Sequence, residues 1–318
     1  MLTDSLLLAG LVLVVGLVLL VAGSDQLVDG ASRLSTRLGV SPVIVGAIII
    51  GFGTSMPELL VTLLAALEGV FDLGVGNIIG SNIANVLLVL GIAAIVGPVT
   101  VSRMTVRREV PLSLLGSVAF AWAIQGELRR LDALLLAALL VAVLALLLTL
   151  SLREGAWTPE APFAAGPEHR VRRETVRAVL GLAVTIGGAQ AVVVGGGAIA
   201  AAAGMSEGLI GLTLVAVGTS LPELAAAVQS VRRQETDLLV GNVLGSNLFN
   251  ALAVGPVVVW TGASLDRLVS PSLSGSATLL MLAAVVTVSL MLARRRIGRF
   301  GGIALVLAYV GAVGVMAR

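Results

Sequence analysis

The sequence predicts an all-α integral membrane protein of ten transmembrane helices, arranged as two inverted repeats of five helices each. Two observations lead to this fold class: an apolar composition, and two similar stretches separated by a constant offset of 165 residues. Hydrophobic residues make up 58% of the 318-residue chain and charged residues 12%, with a mean hydropathy of +1.08. Soluble domains carry about 25% charged residues, so the composition excludes an ordinary soluble protein.

The charged residues divide the chain into ten apolar segments. Nearly all of these segments have the roughly 17 to 25 residues that a helix needs to cross a bilayer. We expect the helices at roughly residues 5–24, 38–67, 73–102, 110–126, 131–152, 178–206, 208–231, 238–265, 268–293 and 300–317.

The segments fall into two halves around a polar stretch of about 25 residues that is typical of a linker. Because each half contains an odd number of segments, the second half would enter the membrane from the opposite side. The predicted organisation is a first five-helix repeat at 1–152, a cytoplasmic linker at 153–176 and a second five-helix repeat at 177–318.

The repeat is visible in two signature stretches, residues 39–91 and 204–256. Each contains Gly-Thr-Ser-x-Pro-Glu, which ends at Glu58 in the first stretch and at Glu223 in the second, followed by Gly-Asn-x-x-Gly-Ser-Asn. Each glutamate lies about 14 to 15 Å along its helix from the next charge, near the middle of a roughly 30 Å hydrocarbon core. An ionisable side chain at that depth is costly and by default marks a pathway for substrate or ions.

The arginines predict how the chain is oriented. Sixteen of the 20 basic residues fall in the connections on one side of the membrane, and the other four are Arg129, Arg130, Arg267 and Arg318. Under the positive-inside rule both termini lie outside. The basic residues are therefore topology signals first, and we expect no nucleic-acid partner despite a sequence pI near 10.3.

The residue types near the two glutamates favour a cation over covalent chemistry. The chain has no cysteine and no lysine, which excludes thiol and Schiff-base catalysis, and we expect no enzyme. Carboxylate, hydroxyl and amide oxygens are the ligands of Ca²⁺, which takes about six to eight of them. Two carboxylates neutralise one Ca²⁺, and the same oxygens can hold Na⁺, so the ions would be accepted in turn. The nearby oxygen donors are Thr54, Ser55, Ser81 and Asn85 in the first stretch, and Thr219, Ser220, Ser246 and Asn250 in the second.

At these doubled motifs the sequence resembles the cation/calcium exchanger superfamily, and within it the prokaryotic sodium/calcium exchangers. The resemblance extends over the whole chain through the ten-helix plan. It implies an electrogenic antiporter that exchanges Ca²⁺ for Na⁺ by alternating access, with these ions as substrates and no cofactor. We expect a monomer in a prokaryotic inner membrane, surrounded by lipid.

The resemblance also implies a role for each site residue. Glu58 and Glu223 would be ligands shared by Ca²⁺ and Na⁺, and Thr54 and Thr219 would contribute backbone carbonyls. The flanking Na⁺ sites would use Ser55, Ser220, Ser81 and Ser246 with the carbonyls of Gly51 and Ala216, and Asn85 and Asn250 would occupy the central polar position.

Other functions stay open at this point. An H⁺/Ca²⁺ exchanger of the same superfamily is one alternative, because buried glutamates take up protons readily. A K⁺-dependent exchanger is another, although that branch has aspartate where this chain has Asn250. From different classes, an intramembrane protease would need an aspartate pair, and a ten-helix metabolite exporter would not need paired carboxylates.

Overall fold

The computed structural model describes residues 6–69, 71–153, 171–204, 216–265 and 268–316. Most of the predicted linker, residues 154–170, and residues 205–215 of the second signature stretch lie outside these described residues.

The described part of the chain is almost entirely helical, with two short strands that pair antiparallel. Up to residue 153 the elements are α1 (Leu6–Leu38), α2 (Pro42–Val45), the π-helical turn π1 (Gly46–Gly51), α3 (Phe52–Thr54), α4 (Met56–Leu67), α5 (Phe71–Ile83), π2 (Ala84–Val89), α6 (Leu90–Val96), β1 (Val99–Thr100), α7 (Arg103–Arg107), α8 (Glu109–Ala123) and α9 (Arg130–Arg153). From residue 171 they are α10 (Val171–Ala202), α11 (Ala216–Thr219), α12 (Leu221–Arg232), α13 (Thr236–Phe249), π3 (Asn250–Val254), α14 (Gly255–Ser264), π4 (Leu273–Ala277), α15 (Thr278–Ala293), β2 (Arg296–Ile297) and α16 (Arg299–Met316).

Seven helices of the described chain are long and apolar enough to cross a membrane, and a bent pair of helical stretches, Pro42–Thr54 and Met56–Leu67, makes an eighth if it is one span. The protein is therefore a multi-span membrane protein. The count of ten stays a prediction for two reasons. Helix α8 has only 15 residues, or about 22 Å of helix, and α11 follows directly on residues outside the described part.

The two long helices, α1 and α10, pack against each other in opposite directions. Gly16 of α1 lies against Gly188 of α10, and Gly23 lies against Gly181. A methyl group added to Gly23 would come within 2.6 Å of the backbone nitrogen of Thr185, so only glycine permits this approach. The glycines obey the offset of 165 residues, which extends the internal repeat to the first helix of each half.

The core of the protein surrounds α13, in which every residue from Leu238 to Phe249 is buried. The turn π1 and its preceding helix α2 lie directly against it. A methyl group on Gly241 would lie 2.1 Å from the carbonyl oxygen of Val43, and one on Gly245 would lie 2.4 Å from Cα of Ala47. A segment of the first half thus crosses a helix of the second half at backbone contact, which positions the two signature stretches relative to each other.

Candidate ion-binding site

Each signature stretch contains a helix that is interrupted just before its glutamate. The first breaks at Ser55, with φ −84° and ψ 8°, and the second at Ser220, with φ −90° and ψ 3°. Glu58 and Glu223 follow in the first turns of α4 and α12, and each is 1% exposed. A helix N-terminus favours an anion, and the C-terminal carbonyls of a broken helix favour a cation. The break therefore places both kinds of group around one location.

Residues of the two signature stretches meet across the repeat. The Ser55 hydroxyl donates a hydrogen bond of 3.0 Å to Oε1 of Glu223. The Ser246 hydroxyl donates one of 3.1 Å to the carbonyl oxygen of Gly51. Ser55 precedes Glu58 by three residues, so its bond to Glu223 places the two carboxylates in the same buried region. The structure thus brings the two halves of the predicted site into a single buried cluster.

Several buried oxygens of this cluster have no hydrogen-bond partner within the described part of the chain. They include both carboxylate oxygens of Glu58, Oε2 of Glu223, the Ser220 hydroxyl, and the side-chain amide groups of Asn85 and Asn250. An unsatisfied buried polar group costs about 1 to 3 kcal/mol, and more when it is charged. A bound cation would satisfy the oxygens and neutralise the repulsion between the carboxylates.

The two asparagines lie on π-helical turns. Asn85 is the second residue of π2, and Asn250 is the first residue of π3. Helix α4, which carries Glu58, contacts π3, and helix α12, which carries Glu223, contacts π2. Because π-helical turns are frequent at functional sites, their presence at both asparagines agrees with a role for this region in binding.

The remaining predicted site residues lie on the same elements. Ser81 is buried in α5, and Thr54 is buried at the end of α3, where its hydroxyl donates to the carbonyl of Ile50 at 2.9 Å. Thr219 ends α11, and Ala216 begins it. Helix α11 contacts α5, so the segment with Ala216 and Thr219 lies beside the helix that carries Ser81.

Two asparagines in the Gly-Asn part of the motif, which were not among the predicted site residues, bond the backbone of the two glutamates. Asn242 donates from Nδ2 to the backbone carbonyl of Glu223 at 3.3 Å, and its Oδ1, at 3.3 Å, shares the proton of the Thr54 hydroxyl with the Ile50 carbonyl. Its counterpart Asn77 donates to the carbonyl of Glu58 at 3.1 Å and to the Thr62 hydroxyl at 3.0 Å. Asn77 and Asn242 occupy the same position in the two repeats, and each stabilises the helical turn that carries a glutamate. Their repetition in the motif was the signal that could have identified this role.

The chain is similar to known membrane proteins over most of its length. A family model described as sodium/calcium exchanger protein matches residues 8–149 and 174–317. The inner membrane protein YrbG of Escherichia coli is 40% identical over 83% of this chain and 83% of its own length. The sodium/calcium exchanger MaX1 of Methanosarcina acetivorans is 28% identical over 77% of this chain and 80% of its own length. A solved structure of the sodium-calcium exchanger NCX_Mj superposes with a TM-score of 0.83 at 28% identity, and the match covers 98% of this chain and 99% of that one.

Proposed function

Because the chain belongs to the sodium/calcium exchanger family, we propose that it moves Ca²⁺ across the membrane in exchange for Na⁺, electrogenically and by alternating access. The observation that carries this proposal is the group of buried oxygens that lack hydrogen-bond partners around two carboxylates. Two negative charges balance one Ca²⁺, and an array of oxygens suits the flexible coordination that Ca²⁺ prefers over the strict octahedron of Mg²⁺.

In this proposal Glu58 and Glu223 hold both Ca²⁺ and Na⁺. The carbonyls of Thr54 and Thr219 add ligands at the ends of broken helices, where carbonyl groups coordinate cations. The flanking Na⁺ sites and the central position use Ser55, Ser81, Ser220, Ser246, the carbonyls of Gly51 and Ala216, and Asn85 with Asn250. Ser246 already donates to the Gly51 carbonyl, so ion binding there would use that oxygen's second lone pair.

Ion exchange follows from the cost of an empty site. Without a cation the two carboxylates repel each other in a region shielded from water, so the empty protein resists the conformational change that would carry the site across the membrane. Either Ca²⁺ or several Na⁺ removes that repulsion. The protein therefore changes state mainly when it is loaded, which couples the flow of one ion to that of the other.

We further propose that the halves, at 1–152 and 177–318 with the linker 153–176 between them, are inverted repeats. The antiparallel packing of α1 and α10 through glycines at matching positions supports this arrangement. The arginine distribution places both termini outside, and the name of the relative YrbG favours the inner membrane of a prokaryotic cell.

The test is calcium uptake into proteoliposomes loaded with Na⁺, K⁺ or acid. Glu58→Gln or Glu223→Gln removes one of two compensating charges from a buried site. Two unit charges about 4 Å apart at an effective dielectric of about 20 interact by about 4 kcal/mol, so the loss of one carboxylate should weaken Ca²⁺ binding by at least about 1,000-fold. Both variants should lose Na⁺-driven uptake.

Glu68→Gln is the matched control, because Glu68 is an exposed carboxylate at the end of the same helix as Glu58. It should transport at the parental rate. Normal uptake by a folded Glu58→Gln or Glu223→Gln variant would refute the assignment of the site. Uptake driven by a proton gradient alone, or an absolute need for K⁺, would replace Na⁺/Ca²⁺ exchange by one of the two related exchange reactions.

A further inference from the structure

A cluster of charged residues outside the ion site connects α1 to the end of α12. The guanidinium group of Arg233 donates to Oδ1 of Asp25 at 2.9 and 2.7 Å, and to Oδ1 of Asp29 at 2.9 Å. Arg233 directly follows the last residue of α12, ten positions after Glu223. One arginine thus joins two carboxylates of the long helix α1 to the helix that carries a proposed ion ligand.

The same cluster includes α10. Arg177 of α10 forms an ion pair with Oδ2 of Asp29, and it also bonds Oε2 of Glu174 at 3.2 Å. Arg33, one turn after Asp29 on α1, bonds Oδ2 of Asp29 at 3.0 Å. Asp29 therefore accepts bonds from three arginines, which lie on α1, on α10 and at the end of α12.

A further hydrogen bond connects α1 to the core beside these ion pairs. The Ser32 hydroxyl of α1 donates to Oε1 of Glu235, which occupies the N-cap position of α13. Asp29 is only 7% exposed and Glu174 is fully buried. Charge-assisted hydrogen bonds are the strong ones, and partial burial protects them from screening by salt. The contacts between the α1–α10 pair and the core at this end of the protein are therefore stronger than ion pairs that are fully exposed to water and salt.

The positions that match this cluster at the other end of the α1–α10 pair carry different residues. At the offset of 165, the counterparts of Asp25 and Asp29 are Gln190 and Val194, the counterpart of Arg177 is Val12, and the counterpart of Arg233 is Glu68. No carboxylate on α10 can meet a guanidinium at that end, and the residue at the tip of α4 carries the opposite charge. The offset holds at the ion site and at the glycines between α1 and α10, but it fails at these charged positions.

We propose that this cluster is a latch, which holds the α1–α10 pair against the core on the inner side and favours the state of the exchanger that is closed there. The proposal rests on the alternating access proposed above. If two inverted repeats exchange their conformations between the two end states, an interaction that only one end can form stabilises only one of the states. The ion pairs from Arg233 must break before the inner side opens.

The latch can be tested without measuring transport, by spin-label distances across the inner end. The chain has no cysteine, so spin labels attach only at the two cysteines introduced by Leu38→Cys and Met104→Cys. Both positions are exposed, one at the end of α1 and the other on α7, and neither belongs to the cluster. Arg233→Gln should add a population at longer distances, because it removes all three bonds to α1.

Two further variants make the result specific. Asp25→Asn changes a side chain that is 36% exposed, and it should give a smaller shift in the same direction even if Arg233→Gln does not fold. Arg232→Gln, the neighbouring exposed arginine, is the matched control and should leave the distances unchanged. Parental distances in both Arg233→Gln and Asp25→Asn would overturn the latch, whichever ions the protein exchanges.

The latch also predicts opposite changes in apparent calcium affinity on the two sides. If the parent is closed inside for about nine-tenths of the time and Arg233→Gln equalises the two states, the affinity measured from inside rises about fivefold and that from outside falls about twofold. Equal changes on both sides would indicate damage to the ion site and would refute the latch. A loss of all exchange in the parent protein would refute the proposed function while leaving the distance measurement valid.

Discussion

Replacing Asn242 by alanine tests whether an asparagine that is not itself a proposed ion ligand still determines ion affinity. The side chain is fully buried, and it links the backbone carbonyl of Glu223 to the hydroxyl of Thr54. These two residues come from opposite halves of the protein. The substitution therefore removes a bond between the halves without removing any charge.

The expected magnitude follows from the partners that remain. The Thr54 hydroxyl keeps its bond of 2.9 Å to the carbonyl of Ile50, so the loss falls mainly on the turn that holds Glu223. A buried polar group that loses its partner costs about 1 to 3 kcal/mol. If that cost is felt in the geometry that binds Ca²⁺, the affinity falls by about 5- to 150-fold. The Ca²⁺ affinity of Asn242→Asp should be no higher than that of Asn242→Ala, because the substitution places an oxygen where the Glu223 carbonyl needs a hydrogen-bond donor.

The assay is Na⁺-driven uptake of radioactive calcium over a range of Ca²⁺ concentrations, together with the unfolding temperature in detergent. Asn77→Ala provides the comparison, because Asn77 makes the equivalent bonds to Glu58 and Thr62 but is partly exposed. Water can replace its bonds, so we expect a change in affinity of no more than about fivefold. Parental affinity in a folded Asn242→Ala variant, or a larger effect at Asn77, would refute the positioning role.

Two further predictions concern the coupling ion and the orientation. Asn250→Asp adds a third carboxylate beside two others in a buried site, so exchange should slow and its dependence on Na⁺ or K⁺ should change; uptake rates across both ion concentrations test this, and an absolute K⁺ requirement in the parent would contradict the role given to Asn250. For the orientation, a cysteine at Glu68 should react with impermeant reagents from outside intact cells, and one at Leu38 only from inside. The opposite labelling would reverse the names of both sides.

The family and the helical class were predictable because they depend on local patterns. A motif that occurs twice at a constant offset, each copy within an apolar run, identifies the family from the residues around Glu58 and Glu223 alone, and the family model confirmed that assignment. The number of membrane spans was harder to predict from the sequence. Apolar length is a weak guide where a helix is as short as α8, with 15 residues, or is interrupted as at Ser55.

The contacts between the halves were not predictable, because they depend on how helices cross and not on periodicity. Nothing in the sequence around Asn242 indicates that its side chain reaches Thr54, which precedes it by 188 residues. The same is true of Arg233, which bonds Asp25 and Asp29 across more than 200 residues. Asp29 is buried and bonded to three arginines, of which Arg177 and Arg233 belong to the other half of the chain. The glycines of α1 and α10, by contrast, match at the offset of 165 residues in the sequence itself.

The comparison of the two halves separates what binds ions from what distinguishes the two sides of the membrane. Four ion-site residues with unpartnered side-chain oxygens in the described part of the chain match at the offset of 165, with Glu58 opposite Glu223 and Asn85 opposite Asn250. Two halves that matched everywhere would give the inward-open and outward-open states equal energies, because each state would be the other turned over. Any preference for one state must then arise where the halves differ. Arg233 and Asp29 form such a difference in the described part of the chain, because they bond across the two halves. Their counterparts at the offset are Glu68, which carries the opposite charge to Arg233, and the uncharged Val194. The sidedness of the exchanger is therefore expected to reside at the ends of its helices, and its ion selectivity at their centre.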